Sequence, residues 1–167
     1  MPLNGDLRPN TLYIALDSRP LQDDHWTLVT TDASCHATLR HASNLNGSWK
    51  REEKDFCPRE RMMLIALVRV GDISDQEKMI EATRSVPADD IPSLRTGRQF
   101  NCVSWLLDTL VVLDDQAIVS LPCGIDTLEE AARTYAALYA EAAETGHGAT
   151  VVNDSIVDKS SVLRNKV

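Results

Sequence analysis

His25-Trp26-Thr27-Leu28-Val29-Thr30-Thr31-Asp32-Ala33-Ser34-Cys35-His36-Ala37-Thr38-Leu39-Arg40-His41-Ala42 is the stretch on which the fold class turns. Residues 25–31 are rich in β-branched and aromatic side chains and read as a strand. Asp32-Ala33-Ser34 supplies a turn, and residues 35–42 alternate well enough to return as an antiparallel partner. Alternation also assigns faces, because successive strand side chains point to opposite sides of a sheet. Trp26 and Leu28 form the more apolar side of the first strand, while His25 shares its side with Thr27, Val29 and Thr31. On the second strand Ala37, Leu39 and His41 make the apolar set, leaving His36 on the surface side with Thr38 and Arg40. A sheet covered on one face only would turn His25 away from its core.

Working outward, residues 11–16 (Thr-Leu-Tyr-Ile-Ala-Leu) are short, apolar and followed by the turn-like Asp17-Ser18-Arg19-Pro20, so they read as another strand. Residues 43–61 are polar and dense in both signs of charge, which predicts a long loop. Residues 62–70 (Met-Met-Leu-Ile-Ala-Leu-Val-Arg-Val) are the most hydrophobic run and the best central strand. Helical signals then take over. Ser74 with Glu77 predicts a capped helix to about residue 85, and Asn101 predicts one over roughly 101–113. The box Asp126-Thr127-Leu128-Glu129 opens an Ala-rich helix that Gly146 stops. Strands first and helices later predict an α+β fold, an antiparallel sheet of about four strands with helices packed on it. One domain, 1–149, and a C-terminal tail, 150–167, are expected.

The totals restrict the function. At 167 residues, 43% hydrophobic and 25% charged, the chain has the composition of one globular domain. A net charge of −8 argues against nucleic acid as a partner, since phosphate backbones are bound by basic surfaces. No apolar run approaches the ~20 residues of a membrane span. The first residues lack the basic start and apolar stretch of a secretory signal, so a cytoplasmic protein is expected. The four cysteines, 35, 57, 102 and 123, are scattered without a C-x-x-C pair and read as thiols. A small molecule remains the expected partner. A homodimer through the Ala-rich helix around Tyr135 and Tyr139 is open, core packing explaining that helix equally well.

Cys102 is the candidate nucleophile. It follows the N-cap Asn101, so its sulfur would sit among unpaired backbone N–H groups at the positive end of a helix dipole, which favours thiolate. Those N–H groups could also hold a developing oxyanion. His25 is the candidate base, with Asp24 or His41 to orient it. Arg98 could hold a substrate carboxylate, and Trp26 and Trp105 could line an apolar pocket, although their spacing also suits core packing. Cys35, His36, His41 and His25 lack the short ligand spacing of a structural zinc site, so neither a metal nor another cofactor is expected.

Two resemblances follow from these residues. His25-Trp26-Thr27-Leu28-Val29, then His41, then Asn101-Cys102-Val103-Ser104-Trp105 resemble the elements of the circularly permuted papain-like proteins of the lecithin–retinol acyltransferase-like group. Members carry H-W-x-I-Y, a second polar residue on the next strand, and a helix opening N-C-x-x-F. Ser104 stands where a histidine often follows the family's cysteine. More locally, the H-W motif and Cys102-Val103-Ser104-Trp105 resemble small uncharacterised fungal proteins, some of which accompany biosynthetic gene clusters. The first resemblance implies a permuted papain-like fold and a cysteine-dependent hydrolase or acyltransferase for an amide, ester or thioester. A non-covalent isomerase or cyclase using histidine as acid and base, and a non-enzymatic binding protein, are the alternatives.

Overall fold

Two strands without an exposed residue hold the middle of the molecule: β2 (Thr11–Asp17) and β3 (His25–Thr31). The computed structural model describes residues 2–18 and 25–154. Around the central pair lie β1 (Leu3–Asn4), β4 (Ala37–Ser43), β5 (Lys50–Asp55), β6 (Leu64–Asp72) and β7 (Ala149–Val152). They form one seven-stranded sheet in the order β1-β7-β6-β2-β3-β4-β5. Pairing from β6 through β5 is antiparallel, whereas β7 runs parallel to both β6 and β1.

The α+β class therefore stands, but the expected four-stranded antiparallel sheet of permuted papain-like type does not. Three further strands make the sheet mixed. Each has a physical reason for escaping notice. Lys50-Arg51-Glu52-Glu53-Lys54-Asp55 is an edge strand made of charges, which blunts an edge but carries no apolar alternation. Strand β7 pairs with β6 only after the chain has crossed three helices, and β1 is two residues long. The residues expected to open a tail, Thr150 to Val152, complete β7.

Helices α1 (Gln76–Ser85), α2 (Cys102–Asp115) and α3 (Ile125–Glu144) cover one face. Helix α2 lies on β3 and β4, α3 on β6, β7 and β2, and α1 packs on α2. Leu12, Ile14, Leu16, Trp26, Leu28, Ala66 and Val68 point to this side and bury Trp105, Leu106, Leu110, Leu128 and Tyr135. The other face carries a smaller apolar set, Tyr13, Ala15, Val29, Leu39, Leu64 and Leu67, capped by Phe56 with Leu3 and Leu7. With both faces occupied, β2 and β6 are apolar at nearly every position, as buried strands are.

The helix starts differ in how well local sequence marks them. Asn101 caps α2 in a full capping box: its side chain accepts from the Ser104 N–H, and Ser104 Oγ accepts from the Asn101 N–H. Helix α1 is capped by Asp75, not Ser74, whose hydroxyl is turned to the carbonyls of Ala117 and Ile118. Helix α3 begins at Ile125 without a side-chain cap, so the box expected from Asp126 is absent. Its end matches expectation. Gly146 takes φ +86°, and the N–H groups of Gly146 and His147 donate to Ala143 and Ala142 carbonyls. Among the described residues, no helix is long and apolar enough to cross a membrane.

Candidate functional site

On the face opposite the helices, a row of ionisable side chains crosses four strands. Asp17, the last residue of β2, is the registered partner of His25, the first residue of β3. Between β3 and β4 the register runs Leu28↔Arg40 and Val29↔Leu39, which sets His41 diagonally next to His25. His41 in turn pairs directly with Glu52 on β5. Strand alternation points Asp17, His25, His41 and Glu52 to one side, the side of Val29 and Leu39.

The geometry is that of a relay. His41 Nε2 lies 3.0 Å from Glu52 Oε2, and His41 Nδ1 lies 3.3 Å from His25 Nε2. The two imidazoles meet edge to face, with centroids 5.4 Å apart and planes at 75°. His25 and His41 are 8% and 4% exposed, so the two imidazoles are held away from bulk water, while Glu52 at the end of the chain is half-buried. Burial pushes the His41 pKa below its ordinary value and outweighs the opposing hydrogen bond and charge of Glu52. His41 is then a neutral imidazole with one N–H, and the hydrogen-bond network assigns that proton. Donation from Nε2 to the Glu52 carboxylate leaves Nδ1 as an acceptor, so His25 donates its Nε2–H. The basic nitrogen of neutral His25 is accordingly Nδ1. At the far end of the row, Arg61 forms an ion pair with the buried Asp17.

Cys102 is elsewhere. It is the first residue of α2, half-buried, and packs against the core on the helix-bearing side of the sheet. The structure thus brings together two of the proposed catalytic residues, His25 and His41, and puts the sheet between them and the third. Asp24 lies outside the described residues. Trp26 and Trp105 are 0% and 1% exposed in the main core, Trp26 under the Arg133 guanidinium and Trp105 donating its indole N–H to the Val86 carbonyl. Asn101 is engaged in its cap. Arg98 makes a two-pronged ion pair with Glu129, at 2.8 and 3.1 Å, which holds the Glu129 carboxyl below the usual carboxylate range. Its guanidinium has an internal carboxylate to bind. His36 is exposed and paired with Asp55, and no disulfide joins any of the four cysteines.

Glu52, Asp17 and Arg61 are the members that sequence reading passed over. A signal for Glu52 existed. Asn46-Gly47, with Gly47 at φ +119°, is a strong hairpin dipeptide, and a strand returning from it places Glu52 opposite His41. Nothing comparable marks Arg61, which reaches Asp17 from the segment after a 3-10 turn at Pro58–Glu60.

A groove of about 590 Å³ opens at the same end of the sheet. Ser18, next after Asp17, and Leu64, the β6 partner of Asp17, are among its walls, with Met62, Met63, Ile65 and the C-terminal end of α3. Among the described residues, no group of three or more His, Cys, Asp and Glu side chains is arranged to hold a metal ion.

The model of a family of unknown function, DUF6914, matches residues 10–148, and the chain belongs to that family. No curated protein and no solved structure matches the chain.

Proposed function

For a member of a family without an assigned activity, we propose general acid–base catalysis on a small molecule, an isomerisation or cyclisation, with His25 as the proton-transferring residue. The observation that carries this reading is the His25–His41–Glu52 chain. A histidine whose ring is fixed in one tautomer by a second, carboxylate-anchored histidine is equipped to take a proton on Nδ1. The imidazolium charge so formed is stabilised through His41 by Glu52, and the proton is returned to another atom of the substrate. No bond to the protein is required. The low exposure of the pair keeps competing water from the transfer.

A second reading keeps covalent chemistry, supported by the position of Cys102 at the start of a capped helix. In it the Cys102 sulfur attacks an amide, ester or thioester carbonyl, and first-turn N–H groups of α2 bind the oxyanion. His25 on the opposite face is poorly placed to serve that sulfur, so the first reading is favoured.

One experiment separates them. Turnover of a small-molecule library is followed for the wild-type protein, His25→Asn and Cys102→Ser. Acid–base catalysis predicts a loss of about 10²–10⁴-fold in His25→Asn with Cys102→Ser near wild type. The opposite pattern would transfer the proposal to the thiol.

A further inference from the structure

The groove between the start of β6 and the end of α3 has an electrical character that its apolar walls disguise. Met62 and Met63 are exposed at 79% and 45%, and together with Leu64, Ile65 and Ala143 they give it an apolar floor and rim. Its volume of about 590 Å³ falls within the ~300–1,000 Å³ of ordinary small-molecule sites. Among the described lining residues only Glu144 is charged, and its carboxylate accepts a long hydrogen bond from Ser18 Oγ at 3.4 Å.

Ala143, Glu144 and Gly146 belong to the C-terminal end of α3. A helix of 20 residues ends there with its carbonyl pole, equivalent to roughly half a negative charge, and cations are favoured beside it. Helices commonly meet that pole with Lys or Arg. Helix α3 has no basic residue in its last turn and carries Glu141 and Glu144 there instead. Arg61, the arginine immediately before Met62, is already paired with Asp17. The groove therefore joins an apolar wall rich in thioethers to a helix end whose carbonyls are capped by backbone N–H groups but whose last turn carries Glu141 and Glu144 with no basic side chain.

We infer that this groove is a small-molecule site, and that its ligand class is an apolar, preferably aromatic, amine. The ammonium group lies against Glu144 and the α3 terminus, and the ring lies on Met62 and Met63, whose sulfurs favour aromatic edges. His25, His41 and Glu52 are not among its described walls, so the binding is independent of the acid–base reading above.

The test uses protein labelled with 13C at the methionine methyl groups, titrated with 1-naphthylmethylamine, 1-naphthalenemethanol and 1-naphthoate. These probes share one ring system and differ in charge. The expected result is movement of the Met62 and Met63 methyl signals with no shift at Met79, which is fully buried in the main core. The amine should bind about tenfold more tightly than the naphthoate, a factor equivalent to about 1.4 kcal/mol. Glu144 is exposed, so Glu144→Gln should fold normally, and it should bring the two within about threefold of each other. Equal or tighter binding of naphthoate to the wild-type protein, or unmoved Met62 and Met63 signals, overturns the inference. His25→Asn should bind the amine as the wild type does. Retained binding with retained turnover in that variant would refute the acid–base reading while leaving the groove assignment intact.

Discussion

At the scale of single residues, the decisive relation is between two histidines 16 positions apart. Their participation in one site was legible in part. Alternation alone put His25 on the side away from Trp26 and Leu28, where the structure finds it. The spacing rule could not say that His41 would lie against it, because that depends on the diagonal offset between β3 and β4. Glu52 was lost inside a segment read as loop. The consequence of their meeting can be measured without a substrate: long-range 15N–1H correlation spectra near pH 7.5 should show both His25 and His41 protonated on Nε2. Glu52→Gln should weaken that preference at His41. A dominant Nδ1–H form of His41 in the wild-type protein would break the relay as described. In an activity assay the same substitution should move the acid limb of the pH profile to lower pH, since the anion that stabilises the imidazolium is gone.

His41 also links stability to pH. Burial lowers its folded-state pKa, so the unfolded chain, with a pKa of about 6.5, binds the proton more readily. Stability rises with pH wherever the unfolded state binds more protons. The contribution of neutral His41 is therefore complete above about pH 6.5 and is lost as pH falls from there through the lower folded-state value. Urea unfolding between pH 7.5 and 5 should show this loss, and His41→Gln should flatten the profile over that window. The carboxylates held low by arginine, Glu53 and Glu129, act at more acidic pH, below the ordinary carboxylate value. An unchanged slope in His41→Gln would assign the loss to other groups.

At the scale of elements, caps and turns were read well where a side chain closes on its own backbone and poorly where it has a more distant choice. Asn101 and Ser104 satisfy each other within one turn, so the start of α2 was visible. Ser74 looked equally good, but carbonyls about 43 residues away take its hydroxyl, and Asp75 becomes the cap. Tertiary competition of this kind has no local signature. The α2 cap makes a quantitative expectation possible: Asn101→Ala should cost about 1 kcal/mol, seen as a fall of about 2–4 °C in Tm. If Cys102 owes any enhanced thiol reactivity to the ordered first turn, its iodoacetamide labelling at neutral pH should fall in the same variant. An accelerated rate would mean instead that fraying simply exposes the sulfur.

For the whole molecule, the mixed sheet makes the last described strand a structural partner of the first. Strand β7 enters between β6 and β1, and Ala149 and Val152 are each 2% exposed. The entry depends on Gly148. At φ +89°, a Cβ there would stand 2.1 Å from the Pro2 carbonyl oxygen, so an alanine must displace the N-terminal segment as well as accept a left-handed backbone. Such a strained residue costs about 1–3 kcal/mol. A harsher test ends the chain after Gly148. That leaves Ala66, Leu67 and Val68 of β6 as an unpaired apolar edge and removes the neighbour of β1 among the described strands. Exposed edges of this kind template association. The chain ending at Gly148 should therefore unfold at lower urea than one ending at Asp154, which keeps β7, and should scatter light on warming where the longer one does not. Equal stability of the two truncated chains would show that β6 tolerates solvent along this edge, and that the antiparallel strands β2 to β6 and their helices form the complete folding unit.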